Sequence, residues 1–131
     1  MGAKPELQVP NCTVTGPLPA DQLDQYYQTA SIFCLPTYQE PFGIVFIEAM
    51  AARLPIVATR VGAIPELVQD GINGRLVEPG DIQSLANALS ELLDDPEISR
   101  RFGERSYQLT RERYSWQAVG KRFQTNILSA L

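Results

Sequence analysis

Histidine is absent from this chain of 131 residues, which has only two cysteines and one tryptophan. Without histidine, the commonest general acid or base near neutral pH is excluded, and so are most zinc sites. The two cysteines, Cys12 and Cys34, indicate neither a disulfide framework nor a metal site. Each lies in an apolar, strand-like run, so we expect both thiols to be buried as small hydrophobic groups.

Long apolar runs are also missing. No stretch approaches the roughly 20 residues that a membrane-spanning helix needs. The amino-terminal residues lack the apolar core of a signal peptide, so we expect a cytoplasmic protein. The net charge is −4, from 15 acidic and 11 basic side chains. This balance gives no reason to expect a nucleic-acid partner.

Basic side chains nevertheless concentrate in one segment, residues 100–122, which has only two acidic side chains. The seven basic residues there are Arg100, Arg101, Arg105, Arg111, Arg113, Lys121 and Arg122. One interpretation is a pair of solvated helices. The other is a patch that makes peripheral contact with an anionic membrane or with a partner domain.

Strand and helix patterns alternate along the chain, which is typical of a parallel sheet with crossover helices. We predict one α/β domain over residues 1–131, with residues 1–11 disordered. Short strands are expected at 12–15, 31–35, 56–59 and 75–77. The apolar spacing predicts the following inward-facing residues: Leu23, Tyr26, Tyr27 and Ala30 in a first helix, and Ile82, Leu85, Leu89, Leu92 and Leu93 in a later helix capped by Asp81. A further helix begins near Glu97, where Ile98 and Phe102 face inward and Gly103 weakens it, and a last helix is capped by Ser115.

The centre of the chain is the stretch 31–52, where a buried strand, a sharp loop and a helix follow one another. Pro41 and Gly43 indicate the loop, and Ile44, Ile47 and Ala51 are predicted to share one face of the helix. A helix that begins directly after a buried strand directs free N–H groups out of the carboxyl edge of the sheet. Anions bind at this place in open parallel sheets.

Two carboxylates, eight positions apart, frame this edge. Glu40 lies in the loop and Glu48 in the helix. The amides of Phe42, Gly43 and Ile44 could hold a phosphate, and glycine allows close approach of the main chain. A carboxylate on the helix suits the vicinal diol of a ribose, and one on the loop suits sugar hydroxyls. A nucleotide diphosphate sugar satisfies all three demands. Alternatively, Glu40 caps the helix and Glu48 is a solvated surface residue.

The same stretch resembles the signature of the retaining glycosyltransferases of family 4, which have the GT-B fold. Their pattern of two glutamates separated by seven residues reads here as Pro36, Thr37, Glu40, Phe42, Gly43, Glu48, Ala49, Met50 and Ala51. The segments 54–59, 62–66 and 70–77 also resemble the next strand, loop and turn of that family, and the resemblance runs from about Val14 to Trp116.

The resemblance implies a partial Rossmann-like sheet and a donor site for a nucleotide diphosphate sugar, with no metal required. Glu40 would bind the sugar ring, the amides from Phe42 to Ile44 would meet the sugar and diphosphate, and Glu48 would bind the ribose. The segment 59–65 forms a second loop at the same edge. There, Gly62 either approaches the ligand or belongs to an ordinary turn.

Two features of the family pattern are not found in this sequence. One is the Gly-Arg pair with a following lysine that neutralises the diphosphate, and the other is the acceptor domain. We therefore expect an N-terminally truncated donor-binding part that is inactive alone. It would need an N-terminal domain or partner chain, or would self-associate through an exposed strand near Ile32. The alternatives are a non-catalytic nucleotide-binding or interaction module, such as a split-enzyme subunit, and a degenerate remnant without a ligand.

Overall fold

The structure, a computed structural model, describes residues 10–40 and 43–113. Eight elements follow one another: α1 (Ala20–Thr29), β1 (Phe33–Leu35), α2 (Ile44–Ala51), β2 (Ile56–Thr59), α3 (Ile64–Leu67), β3 (Gly74–Val77), α4 (Ile82–Asp94) and α5 (Pro96–Arg113). The helix expected from Ser115, the disorder expected for residues 1–9 and the placement of Phe42 lie outside the described residues. The remainder confirms an α/β fold with a parallel sheet.

The sheet has three parallel strands in the order β1-β2-β3. Phe33 pairs with Ile56, which pairs in turn with Gly74. All four residues of β2 are buried, as expected for a central parallel strand. In the described part of the chain β1 is an edge strand, as the sequence predicted for the segment near Ile32. The expectation of a buried strand is confirmed only in part: Ile32, Phe33 and Leu35 are half-buried against the core, whereas Cys34 is exposed.

The strand predicted at 12–15 is not formed. Residues 12–15 have no regular secondary structure and all are exposed. A short β-branched run is stable as a strand only when a neighbouring strand accepts its main-chain hydrogen bonds. For the same reason Cys12 is exposed, and the prediction of two buried cysteines is wrong at both positions.

Helix α2 packs on the sheet with Phe46, Ala49 and Met50, which are completely buried. The predicted face is wrong at two of its three positions: Ile47 is half-buried against the core, but Ile44 is 62% exposed and Ala51 is also exposed. Every side chain of α2 except Glu48 is apolar, so the spacing of apolar residues could not distinguish one face from another.

The other helices confirm part of each predicted face. In α1, Tyr27 is buried and Leu23 half-buried, whereas Tyr26 is 52% exposed. Ala30, the residue just after the helix, is also exposed. In α4, Asp81 caps the helix by accepting from the Ser84 amide, and Leu92 is buried. The predicted burial of Ile82 and Leu93 is wrong, since Ile82 is 79% and Leu93 65% exposed.

Helix α5 contacts α2 and α4 and contributes a buried residue to each of two hydrophobic clusters, Leu109 to the one around Phe46 and Phe102 to the one around Val57. Phe102 is buried against Val57 and Leu92, as predicted. Gly103 is also buried, so close to the main chain of Arg53 that a Cβ there would lie 2.3 Å from the Arg53 oxygen. Within residues 10–40 and 43–113, no helix is both long enough and apolar enough to cross a membrane.

Candidate functional site

The loop after β1 turns into α2 at Gly43. This residue has φ +70° and is the N-cap of the helix, a conformation that other residues adopt only at a cost. It is buried, and a Cβ at this position would lie 2.3 Å from Cδ1 of Leu67. Glycine therefore lets the start of α2 pack directly on α3, and this contact fixes where the helix begins.

Glu40 is held on both its side chain and its main chain. Its Oε1 accepts a hydrogen bond of 3.0 Å from the amide of Gly43, and its carbonyl oxygen accepts one of 3.1 Å from the amide of Ala63. The carboxylate thus caps the start of α2, as one of the two interpretations predicted. A carboxylate has about four acceptor sites, so this cap leaves Glu40 able to accept from a ligand hydroxyl as well.

The loop after β2 packs against the main chain of Glu40. Gly62 has φ +53°, and a Cβ there would lie 2.5 Å from the carbonyl oxygen of Glu40. The predicted alternatives for Gly62 were a ligand contact or an ordinary turn. In the structure, the glycine is required where the loops after β1 and β2 touch, so its observed contact is with the site loop.

The amides at the start of α2 differ in whether another group of the protein already accepts from them. The Gly43 amide is bonded to Glu40, whereas the first-turn amides of Ile44 and Val45 have no acceptor within the helix. The sequence predicts that the Gly43 amide contacts a ligand. Such a contact would have to compete with the bond to Glu40. The start of α2 still directs its positive dipole toward the carboxyl edge of the sheet.

Glu48 lies in the second turn of α2 with an exposed side chain. Its Oε2 accepts a hydrogen bond of 3.1 Å from the hydroxyl of Tyr27 in α1. Burial raises the pKa of Tyr27 to about 12, and the negative charge of Glu48 and the shared hydrogen bond contribute to that rise in the same direction. Tyr27 therefore keeps its proton and remains a donor to Glu48 at neutral pH.

Sequence reasoning missed this contact. It placed Tyr27 on a core face and Glu48 at the site, but it did not connect them. The two residues are 21 positions apart, so no local spacing relates them. The only signal in the sequence was a tyrosine on an apolar helix face, because a buried hydroxyl requires a hydrogen-bond partner.

A cleft also lies at the carboxyl ends of the three strands, beside α4. Pro36 after β1, Thr59 of β2 and Val77 of β3 line it, and the exposed ring of Tyr38 forms one wall. Thr59 is buried and donates its hydroxyl proton to the carbonyl oxygen of Thr37. This bond holds the segment after β1 against the central strand, so the site loop starts from a fixed point.

The described residues contain no group of three or more cysteine, aspartate or glutamate side chains placed to hold a metal ion. The carboxylates at the site have protein partners instead, with Glu40 on the Gly43 amide and Glu48 on the Tyr27 hydroxyl. The site that the described residues form is therefore built of carboxylates, helix amides and one tyrosine hydroxyl.

Comparison with known proteins identifies the family. The family model described as glycosyl transferases group 1 matches residues 4–109. The chain belongs to this family. It is 36% identical over 119 residues to the sulfoquinovosyl transferase SQD2 of Arabidopsis thaliana, an alignment that covers 88% of this chain and 23% of the relative.

Solved structures agree with this assignment. The sucrose-phosphate synthase of Thermosynechococcus elongatus superposes with a TM-score of 0.81 and 33% identity, over 91% of this chain and 31% of that protein. Anabaena HepE in complex with UDP-glucose superposes with a TM-score of 0.75 and 29% identity, over 82% and 29% of the two chains. The fold of this glycosyltransferase chain is thus that of part of a GT-B enzyme.

This glycosyltransferase chain spans about a quarter of the length of the curated relatives it matches. The matched part contains the sheet, the site loop and both glutamates of the motif. Glu40 and Glu48 therefore lie within the part of the chain that the family shares.

Proposed function

We propose that this chain is the donor-binding part of a retaining, family 4 glycosyltransferase. It would hold a nucleotide diphosphate sugar from which a hexosyl group passes to an acceptor. The observation that carries this proposal is the arrangement of α2. One motif glutamate is bonded to the amide of its N-cap residue Gly43, the other lies in its second turn, and the helix begins at the carboxyl edge of a parallel sheet.

Each group of the site has a role in this proposal. Glu48 accepts from the two hydroxyls of the ribose, and Glu40 accepts from hydroxyls of the sugar ring. The amides from Phe42 to Ile44 approach the sugar and diphosphate, where the positive end of the helix dipole favours negative charge. Since Glu40 already occupies the Gly43 amide, Ile44 is the described amide best suited to a phosphate oxygen.

We assign donor binding to this chain, and not the transfer reaction. The groups that bind the acceptor and neutralise the departing diphosphate would come from an N-terminal domain or a partner chain. Because the structurally similar Anabaena HepE forms a complex with UDP-glucose, uridine is the first base to test.

The test is a titration of the isotopically labelled chain with UDP-glucose, GDP-mannose and ADP-glucose, followed by amide NMR. One donor should shift the amides between Gly43 and Glu48. Because Glu48 contributes a charged hydrogen-bond acceptor, Glu48→Ala should lower the affinity for that sugar donor about 10-fold or more. Glu97→Ala, an exposed position in α5, is the matched control and should bind like the wild type.

Shifts that cluster away from α2, or equal weakening in both variants, would refute the assigned site. If none of the donors shifts any amide, donor binding by this chain is wrong. In a separate assay, transfer of sugar by the chain alone well above background would contradict the proposal that this chain binds the donor and that another domain or chain supplies the other groups needed for transfer.

A further inference from the structure

The proposed function gives Glu48 a role but none to Tyr27, whose hydroxyl is bonded to it. Tyr27 is in α1 and Glu48 in α2, and their 3.1 Å hydrogen bond joins a buried ring to an exposed carboxylate. An exposed glutamate in a helix normally samples several rotamers, and ordering it costs up to about 2 kcal/mol of side-chain entropy. A neighbour that restricts it in advance removes part of that cost from ligand binding.

The ring of Tyr27 is itself fixed by aromatic packing. Its centroid lies 6.1 Å from that of Phe33 in β1, and the Phe33 ring meets Phe46 of α2 edge-on at 5.4 Å. Phe46 is completely buried. The tyrosine is therefore held from the sheet side, and its hydroxyl reaches Glu48 from a defined direction.

The bond engages only one oxygen of Glu48. Tyr27 donates to Oε2, and each carboxylate oxygen can accept about two hydrogen bonds. Glu48 thus keeps acceptor sites on both oxygens, which is what a pair of adjacent hydroxyls requires. Because Tyr27 stays protonated at neutral pH, it does not repel the carboxylate.

We propose that Tyr27 is a positioning residue for nucleotide recognition: it orients the Glu48 carboxylate so that both of its oxygens meet the ribose 2′- and 3′-hydroxyls. This inference rests on the proposed donor-binding function. It predicts that loss of the tyrosine hydroxyl lowers the affinity for ligands that contain the diol and does not change the affinity for ligands that lack it. A purely structural role in joining α1 to α2 would weaken both kinds of ligand equally.

The experiment measures dissociation constants of UDP and of 2′,3′-dideoxy-UDP for the wild type, Tyr27→Phe, Glu48→Gln and the double variant. If a guanosine or adenosine donor binds in the first titration, the corresponding diphosphates replace the uridine pair. Tyr27→Phe keeps the ring and its packing, so it should fold. Tyr26→Phe, on the exposed side of α1, is the matched control.

We expect Tyr27→Phe to lower the affinity for UDP about 3- to 10-fold, the usual range for one hydrogen bond. The affinity for the dideoxy compound should not change. In the Glu48→Gln background the same change should have little further effect, since the two residues act through one contact. Equal weakening of both ligands, or additive effects of the two substitutions, would overturn the inference.

A second measurement needs no ligand. The carboxyl carbon of Glu48 should change its NMR chemical shift at neutral pH in Tyr27→Phe but not in Tyr26→Phe. If that shift is unchanged, the hydrogen bond does not form in solution and the inference fails. If the shift changes but the wild type binds no nucleoside diphosphate, the contact is real and the donor-binding proposal is what fails, together with the role assigned to the pair.

Discussion

The position of Glu40 depends on Gly62, a residue that contacts its main chain and not its carboxylate. Gly62 touches the Glu40 carbonyl oxygen from the loop after β2, and its φ of +53° lies in the left-handed region. Replacing it with alanine adds a conformational cost of about 1–2 kcal/mol. It also places a methyl group 2.5 Å from that oxygen, so the Glu40 loop must move.

We therefore expect Gly62→Ala to lower the free energy of unfolding by roughly 2–4 kcal/mol, from the conformational cost and the overlap together. It should also weaken the binding of any nucleotide sugar. Gly80→Ala is the matched control: φ is +82°, but the nearest atom, the Tyr38 hydroxyl oxygen, lies at an ordinary 3.5 Å. Urea unfolding of both variants measures the difference. Equal losses would show that the contact with Glu40 carries no energy.

Tyr27 also makes the stability depend on pH. Its pKa is about 12 in the folded chain against 10.0 for the free side chain, so the folded state holds this proton more tightly. The resulting stabilisation is complete below pH 10 and is lost as the pH rises toward 12. The loss is at most about 1.4 kcal/mol per pH unit.

Urea unfolding of the wild type and of Tyr27→Phe, at about pH 8 and at several values between the free and folded pKa of Tyr27, tests this effect. The wild type should lose stability more steeply than Tyr27→Phe across the alkaline series. Parallel curves would mean that Tyr27 ionises equally easily in both states and that its contacts to Glu48 and the core are weak in solution.

Among the elements, the boundaries followed from the sequence better than the buried faces did. Local chemistry determines boundaries: Gly43 can adopt the left-handed N-cap of α2, Asp81 can cap α4, and Pro96 starts α5. Faces depend on what packs against them. In α2 almost every residue is apolar, and the segment 12–15 has strand propensity but is exposed and outside the sheet.

In the candidate site, too, the features determined locally were predicted and those determined by packing were not. The spacing of Glu40 and Glu48 and the turn at Gly43 could be read directly, because they lie on one strand–loop–helix unit. The contacts made by Gly62 and Tyr27 could not, since each joins segments that are 21 or more positions apart. Such contacts depend on tertiary packing, and periodicity or propensity contains no information about them.

The junction of α2 and α5 gives a prediction at this scale. By helix propensity alone, Gly103→Ala should stabilise α5 by about 0.5–1 kcal/mol. In the structure the added Cβ would lie 2.3 Å from the main-chain oxygen of Arg53, in the turn after α2. Overpacking against main chain costs about 1–3 kcal/mol, so we expect a net loss of about 1–2 kcal/mol.

Thermal or urea unfolding of Gly103→Ala measures this net effect. Arg101→Ala, at an exposed position of the same helix, is the control and should stay within about 0.5 kcal/mol of the wild type. A gain in stability for Gly103→Ala would mean that α5 can move away from α2 without cost, and that propensity outweighs the close contact.

For the whole molecule, the edge of the sheet at β1 is the surface through which we expect this chain to contact other chains. In the part of the chain that the structure describes, β1 pairs on one side only, with β2. Such an edge presents unpaired main-chain donors and acceptors to another strand. Cys34 lies in the middle of this edge and is exposed, and the strand itself contains none of the lysine or proline residues that commonly prevent edge pairing.

We therefore expect the chain to self-associate through β1 at high concentration in reducing buffer, and Cys34→Lys to reduce this association at least several-fold. A charged side chain at an edge opposes strand pairing because the approaching chain must bury or displace it. Cys12→Lys adds the same charge at an exposed residue outside the sheet, so it should associate like the wild type.

Sedimentation velocity over a concentration series measures the average mass of each variant. A monomeric wild type would show that the β1 edge is protected in solution. Equal effects of the two lysines would show that net charge, and not strand pairing, controls association.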